Sequence, residues 1–161
     1  MPRRFRNGFY LGLGVAAVIG LFLAFQWQPE RQVRRHAAKL VAEIEARDWE
    51  TVTALLGDEF QDQWGHDRAS LIARLREISR YLRGAKIVTQ DATIIIDNVN
   101  AVWSAKVTVE GEGEGVALVK ERINALTTPF RLEWRRMSHK PWDWKLVRVS
   151  NAELQLPDQY Y

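Results

Sequence analysis

The chain has no cysteine among its 161 residues. This excludes disulfides, thiolate metal sites, thiol catalysis and a lipid-modified cysteine of the lipoprotein type, and leaves the redox compartment open. Histidine is scarce as well. His36, His66 and His139 are scattered and lack the spacing of a ligand set, so no metal and no cofactor is expected. There is little surplus of charge. The formal net charge is +3, yet Arg3, Arg4 and Arg6 all fall in the first seven residues, and beyond residue 30 twenty basic side chains face nineteen acidic ones. A body this close to neutral is not a polyanion binder held by charge, and nucleic acid is not an expected partner. There is no internal repeat. With 47% apolar and 27% charged residues, the composition is that of an ordinary globular protein.

What the sequence does have is one long uncharged run, GFYLGLGVAAVIGLFLAF, from Gly8 to Phe25. As a helix it spans about 27 Å, and Gln26 and Trp27 bring it to about 30 Å, the thickness of a hydrocarbon core. Tyr10 and Trp27 suit the two interfaces. A cleavable signal peptide is the rival, but LFLAFQWQPE puts bulky residues where a cleavage site needs small ones. The expected organisation is a basic tail (1–7), a transmembrane anchor (8–28), an α+β domain (29–155) and a C-terminal tail (156–161). Arginines flank both ends of the apolar run, so basic-residue counting does not decide its direction. Long domains translocate with little regard to charge. The expectation is a single-pass protein of the cytoplasmic membrane with a periplasmic C-terminal domain. Gly8, Gly12, Ala16, Gly20 and Ala24 recur every four residues, a stripe that lets two such helices pack closely.

Beyond Pro29, Val33, Ala37, Leu40 and Ile44 recur at helical spacing. Asp48 reads as the N-cap of a shorter helix ending at Gly57. A third helix starts at Asp67, carries Leu71, Leu75, Ile78 and Leu82 on one face, and stops at Gly84. The period then becomes two. Strands AKIVTQDATIII and NVNAVWSAKVTVEG flank a turn at Asp97-Asn98, and Val99, Ala101, Trp103, Ala105, Val107 and Val109 share a face. Residues 111–126 read as a loop followed by a short helix or a distorted strand. TPFRLEWRRM and WDWKLVRVSN close the chain as a hairpin. Phe130, Leu132 and Trp134 alternate onto one face, and Trp142, Trp144 and Leu146 onto the facing one. Helices first and an antiparallel sheet after them is an α+β layout.

Three stretches carry a family resemblance: AEIEARDWETVTALLGDEF, GHDRASLIARLREISRYL, and FRLEWRRMSHKPWDWKLVRVSN with its Trp144, Lys145, Leu146 and Asn151. In order and spacing the chain resembles the nuclear transport factor 2-like superfamily, which includes the SnoaL-type polyketide cyclases. The resemblance implies a cone-shaped domain whose N-terminal helices pack on a curved antiparallel sheet around a pocket, often dimeric through the sheet. It does not imply one activity: members include isomerases, dehydratases, hydrolases and modules without chemistry.

Pocket-lining candidates are Trp64, Trp103, Trp134, Trp144, Leu132 and Leu146. Acid or base candidates are His66, Asp67 and Asp91. His66 and Asp67 are adjacent and so point in different directions, and Asp67 already has a role as N-cap. An enzyme of this class needs a buried acid, His or Tyr aimed at an open apolar cavity. The expectation is therefore a membrane-anchored, non-catalytic binding or assembly module of the bacterial cell envelope, with room for a small apolar ligand. The alternative is a SnoaL-like isomerase, dehydratase or hydrolase acting on a small hydrophobic substrate. Expected partners are the membrane, a second copy of the chain, and an envelope protein or small apolar ligand.

Overall fold

The computed structural model describes the backbone of residues 3–155 and the side chains of residues 13–155. Five helices and four strands follow in the order α1 (Arg3–Gln26), α2 (Pro29–Ala46), α3 (Trp49–Leu55), α4 (Arg68–Tyr81), β1 (Lys86–Asp97), β2 (Asn100–Glu110), α5 (Glu114–Asn124), β3 (Phe130–Arg136) and β4 (Trp144–Ser150). Within residues 111–126, read as a loop followed by a short helix or a distorted strand, Glu114–Asn124 is a helix.

Local chemistry sets the helical corner. Pro29 stands in the first turn of α2, where its missing N–H costs nothing. At the other end Arg47 adopts a left-handed conformation (φ 61°), and the N–H groups of Arg47 and Asp48 bond back to Ile44 O and Glu43 O. That double return satisfies two of the orphan carbonyls at the helix end. Asp48 then caps α3, its carboxylate accepting from Thr51 N at 3.0 Å. Asp67 does the same for α4 through Ser70 N at 2.8 Å.

The sheet is antiparallel throughout, in the order β1-β2-β3-β4. Its inner face alternates large with small. Ala101 lies opposite Trp134, and Ala105 opposite Phe130, so the alanines of β2 leave room for the rings of β3. Trp103 faces Leu132 across the same pair of strands, and Trp134 faces Leu146 on β4. Val33, Ala37 and Leu40 of α2, with Val52 and Leu55 of α3, cover this face and join it in one buried cluster. Each aliphatic chain fully removed from water there contributes roughly 1.5–3 kcal/mol.

The free edge of β4 is covered rather than left open. Gly57, Gln61 and Gln63 donate their N–H groups to Leu146 O, Val147 O and Val149 O, so an irregular segment runs alongside the sheet. Asn151 locks the end of β4. Its side chain donates to Thr128 O at 2.9 Å and accepts from the N–H groups of Glu153 and Leu154, while its backbone N–H donates to Gln63 Oε1 at 3.0 Å.

Several expectations shift. The β1–β2 turn centres on Asn98-Val99, with Asn98 left-handed (φ 56°), and Val99 is exposed instead of sharing the inner face. Ile78, on the last turns of α4, is exposed, and Ile72 is the buried residue of α4. Trp142 does not alternate inward, since β4 begins only at Trp144; it stands exposed before the strand. Among the described residues no helix is long and apolar enough to cross a membrane. The described side chains of the apolar run begin at Leu13, which leaves thirteen residues to Phe25, about 20 Å of helix against a core of about 30 Å. Gly8 and Gly12 lie outside the residues whose side chains are described. The transmembrane expectation for residues 8–28 rests on the sequence.

Candidate functional site

Five of the six pocket candidates come together. Trp103, Trp134, Trp144, Leu132 and Leu146 all belong to the buried cluster on the inner face of the sheet. Trp144 is held by its indole N–H, which donates to Pro141 O at 2.9 Å. Trp134 is 1% exposed, and its Nε1–H has no hydrogen-bond partner among the described residues. Its ring meets the imidazole of His36 from α2 edge-on, with centroids 5.9 Å apart. His36 is oriented by Gln32 O, 2.8 Å from Nδ1. Two residues on, Arg136 also has a buried, unpartnered Nε, and its guanidinium lies over the ring of Trp144, 5.9 Å from the centroid. Trp64 stands apart. It belongs to the loop before α4, where its Nε1–H donates to Leu154 O at 2.9 Å.

The acid and base candidates are not aimed at this cluster. Asp91 is exposed in a left-handed conformation (φ 53°), at a bulge between Gln90 and Thr93 that breaks the alternation of β1. Asp67 is exposed and spent on capping. The hydroxyl of Ser70, and then its N–H, hold the Asp67 carboxyl below its ordinary value.

His66 does have a carboxylate partner, but it is Asp62, four residues earlier, and not Asp67. The Nδ1 of His66 lies 2.8 Å from Asp62 Oδ2. The other oxygen, Oδ1, accepts from Trp64 N at 2.9 Å and His66 N at 2.8 Å. The Asp62 side chain is 2% exposed and that of His66 22%. Asp62 therefore closes the loop DQWGH on itself, a turn in which a carboxylate satisfies two buried N–H groups. The loop runs along the edge of β4, since Gln61 and Gln63 on either side of Asp62 bond to that strand. Buried polar side chains among the described residues are Gln32, Asp62 and Asn151, and each is hydrogen-bonded within the fold. No group of three or more His, Asp or Glu among the described residues could hold a metal ion.

No protein-family model matches the sequence, and no curated protein matches it. Solved structures do share its fold. Bd1075 of Bdellovibrio bacteriovorus superposes with a TM-score of 0.58 at 11% identity, over 76% of this chain and 40% of that one. A candidate ketosteroid isomerase from Shewanella frigidimarina superposes at 0.58 with 13% identity, over 78% and 98%. A nuclear transport factor 2-like protein with a cystatin-like fold from Novosphingobium aromaticivorans superposes at 0.55 with 17% identity, over 85% and 86%. The helices packed on a four-stranded antiparallel sheet are thus an α+β fold of the nuclear transport factor 2-like kind. Identities this low carry the fold and not the activity.

Proposed function

We propose that the chain is a membrane-anchored, non-catalytic binding or assembly module whose domain projects from the outer side of a bacterial cytoplasmic membrane. The observation that carries the proposal is the surface of α1. Leu13, Val15, Val18, Ile19, Leu21 and Phe22 are all more than half exposed, around the whole circumference of the helix. A helix apolar on every side is stable only when something apolar surrounds it. Together with Gly8–Gly12 this stretch makes the eighteen uncharged residues that fit a hydrocarbon core.

The domain supports a role without chemistry. Its inner face is occupied by tryptophans and aliphatic side chains, and Asp62, the one buried carboxylate among the described residues, already accepts three hydrogen bonds inside its own loop. A second copy of the chain is a further partner, packed along Ala16, Gly20 and Ala24 of α1; a Cβ added at Gly20 would meet no atom within 4 Å.

Reporter fusions test the orientation. A C-terminal alkaline phosphatase should be active and a C-terminal fluorescent protein of the cytoplasm-restricted kind dark; the opposite pair would remove the envelope role. The enzyme alternative rests on His66, whose Nδ1 is held by a buried carboxylate and whose ring is partly open to solvent. It requires that a His66→Gln protein lose an activity while keeping its fold.

A further inference from the structure

The junction of α1 with the domain brings together groups that a free protein surface does not need. Trp27, at the end of α1, is 44% exposed, and Trp142, in the β3–β4 connection, is 51% exposed. Their rings nevertheless meet, with centroids 6.2 Å apart and planes tilted by 53°. Met137, at the other foot of the same connection, is exposed as well. The apolar surface of α1 therefore continues onto the domain across the Trp27–Trp142 contact.

This connection is firmly built. Met137 N donates to Asp143 O at 2.8 Å, Asp143 N to Lys140 O at 3.2 Å, and the buried Trp144 holds Pro141 O from below. The junction is firm too: the Gln32 side-chain amide donates to Gln26 O at 2.9 Å, and Arg35 donates to Gln26 Oε1. Two large apolar groups are thus held out into solvent by a rigid frame, beside the helix that the proposed function places in a membrane.

Around them basic side chains outnumber acidic ones, Asp143 being the acidic residue of the connection. The guanidinium of Arg136 has neither a carboxylate nor a hydrogen-bond partner among the described residues, and sits over the ring of Trp144. Arg31 lies over the ring of Phe25, 3.4 Å from its centroid, and Lys140 is exposed on the connection itself. Indole rings and Met at the level of lipid headgroups, with arginine and lysine beside them, are the chemistry of an anionic membrane interface.

We propose that the β3–β4 connection rests on the membrane that α1 enters, with Trp142 and Met137 at the boundary between headgroups and acyl chains and Arg136 and Lys140 facing anionic phospholipid. The domain is then held against the bilayer by its hairpin as well as by its anchor, and cannot rotate freely about the α1–α2 junction. This rests on α1 being a membrane anchor, and the test separates the two.

The full chain is reconstituted in phosphatidylcholine vesicles, with and without phosphatidylglycerol, in which the acyl chains are brominated near the headgroup. Bromine quenches indole emission on contact. With both Trp27 and Trp142 at the interface, about two of the seven tryptophans are quenched, and Trp142→Phe lowers this to about one of six. Trp142 is exposed, so the substitution leaves the fold intact, which the circular dichroism spectrum checks. Adding phosphatidylglycerol should strengthen the Trp142 quenching, and Arg136→Gln should reduce that increment. If Trp27→Phe lowers the quenching and Trp142→Phe does not, the hairpin contact is refuted while the anchor stands. If neither substitution lowers it, the anchor is refuted with the hairpin. An Arg136→Gln protein that keeps the full increment refutes the headgroup contact.

Discussion

Replacing Asp62 separates a structural carboxylate from a chemical one. In Asp62→Ala the N–H groups of Trp64 and His66 and the His66 ring lose an acceptor that is almost wholly shielded from water. A hydrogen bond to a charged group contributes about 1.5–3 kcal/mol and a neutral one about 0.5–1.5. Allowing water to reach the partly exposed imidazole, the loss should be about 3 kcal/mol. For a chain of this size that lowers Tm by about 6–12 °C. Asp62→Asn keeps one oxygen of the same shape in the place of Oδ1, where both backbone N–H groups bond. It should cost about 1 kcal/mol or less. Circular dichroism melts of the full chain in detergent micelles measure both. Equal loss in Asn and Ala variants would show that the negative charge opposite His66, and not closure of the turn, is what the position supplies, and would move weight to the enzyme alternative. An Ala variant within about 0.5 kcal/mol of the parent would refute the turn as a stabilising element.

Other outcomes follow from the same geometry. Trp134→Phe removes a buried N–H that has no partner, whereas Trp144→Phe removes one bonded to Pro141 O, so in paired melts Trp144→Phe should be the worse by about 1 kcal/mol. Gly115→Ala would set a Cβ 2.5 Å from Tyr81 O, a backbone atom that cannot swing away, and should destabilise by about 1–3 kcal/mol; a melt unchanged from the parent would refute the close approach of α4 and α5. The carboxyls of Asp48, Asp67 and Glu153 are held below their ordinary values by the Thr51 N–H, the Ser70 hydroxyl and the Thr127 hydroxyl, respectively. A lowered folded-state value contributes stability above the unfolded-state value and loses it as the folded-state value is crossed downward. Tm should therefore start to fall near the ordinary values of 4.5 and 3.8 and keep falling below them, and the combined Asp48→Asn, Asp67→Asn, Glu153→Gln protein should show a shallower acid limb in a pH series of melts.

Where periodicity and short-range capping decide the structure, the sequence was legible. Asp48 and Asp67 cap the helices they precede, and the alternation of β2 and β3 puts Ala101, Trp103, Leu132 and Trp134 inside. Legibility fails where the pattern is interrupted. Trp142 sits two residues before Trp144, but Pro141-Trp142-Asp143 is a turn, and alternation has no meaning before the strand starts. Asp91 and Asn98 occupy left-handed conformations, the first at a bulge that shifts the β1–β2 register and the second in the turn, without any change in hydrophobic spacing. Asp62 was missed because its partners lie in its own loop, two and four residues ahead. The signal present was an Asp followed by Gln-Trp-Gly-His, a run with no helical or strand period and a glycine to turn on. The meeting of Trp27 and Trp142 joins residues 115 apart and leaves no trace in either local pattern.

The anchor is the claim on which the function depends, and alkaline carbonate extraction of membranes from cells expressing the full chain tests it most directly. Carbonate strips proteins held by charge or by other proteins and leaves those whose helices lie in the hydrocarbon core. The full chain should stay in the membrane pellet, and replacing Ala16 and Ile19 by aspartate, which places two charges in the apolar surface of α1, should move it to the supernatant. A full chain released by carbonate would contradict it.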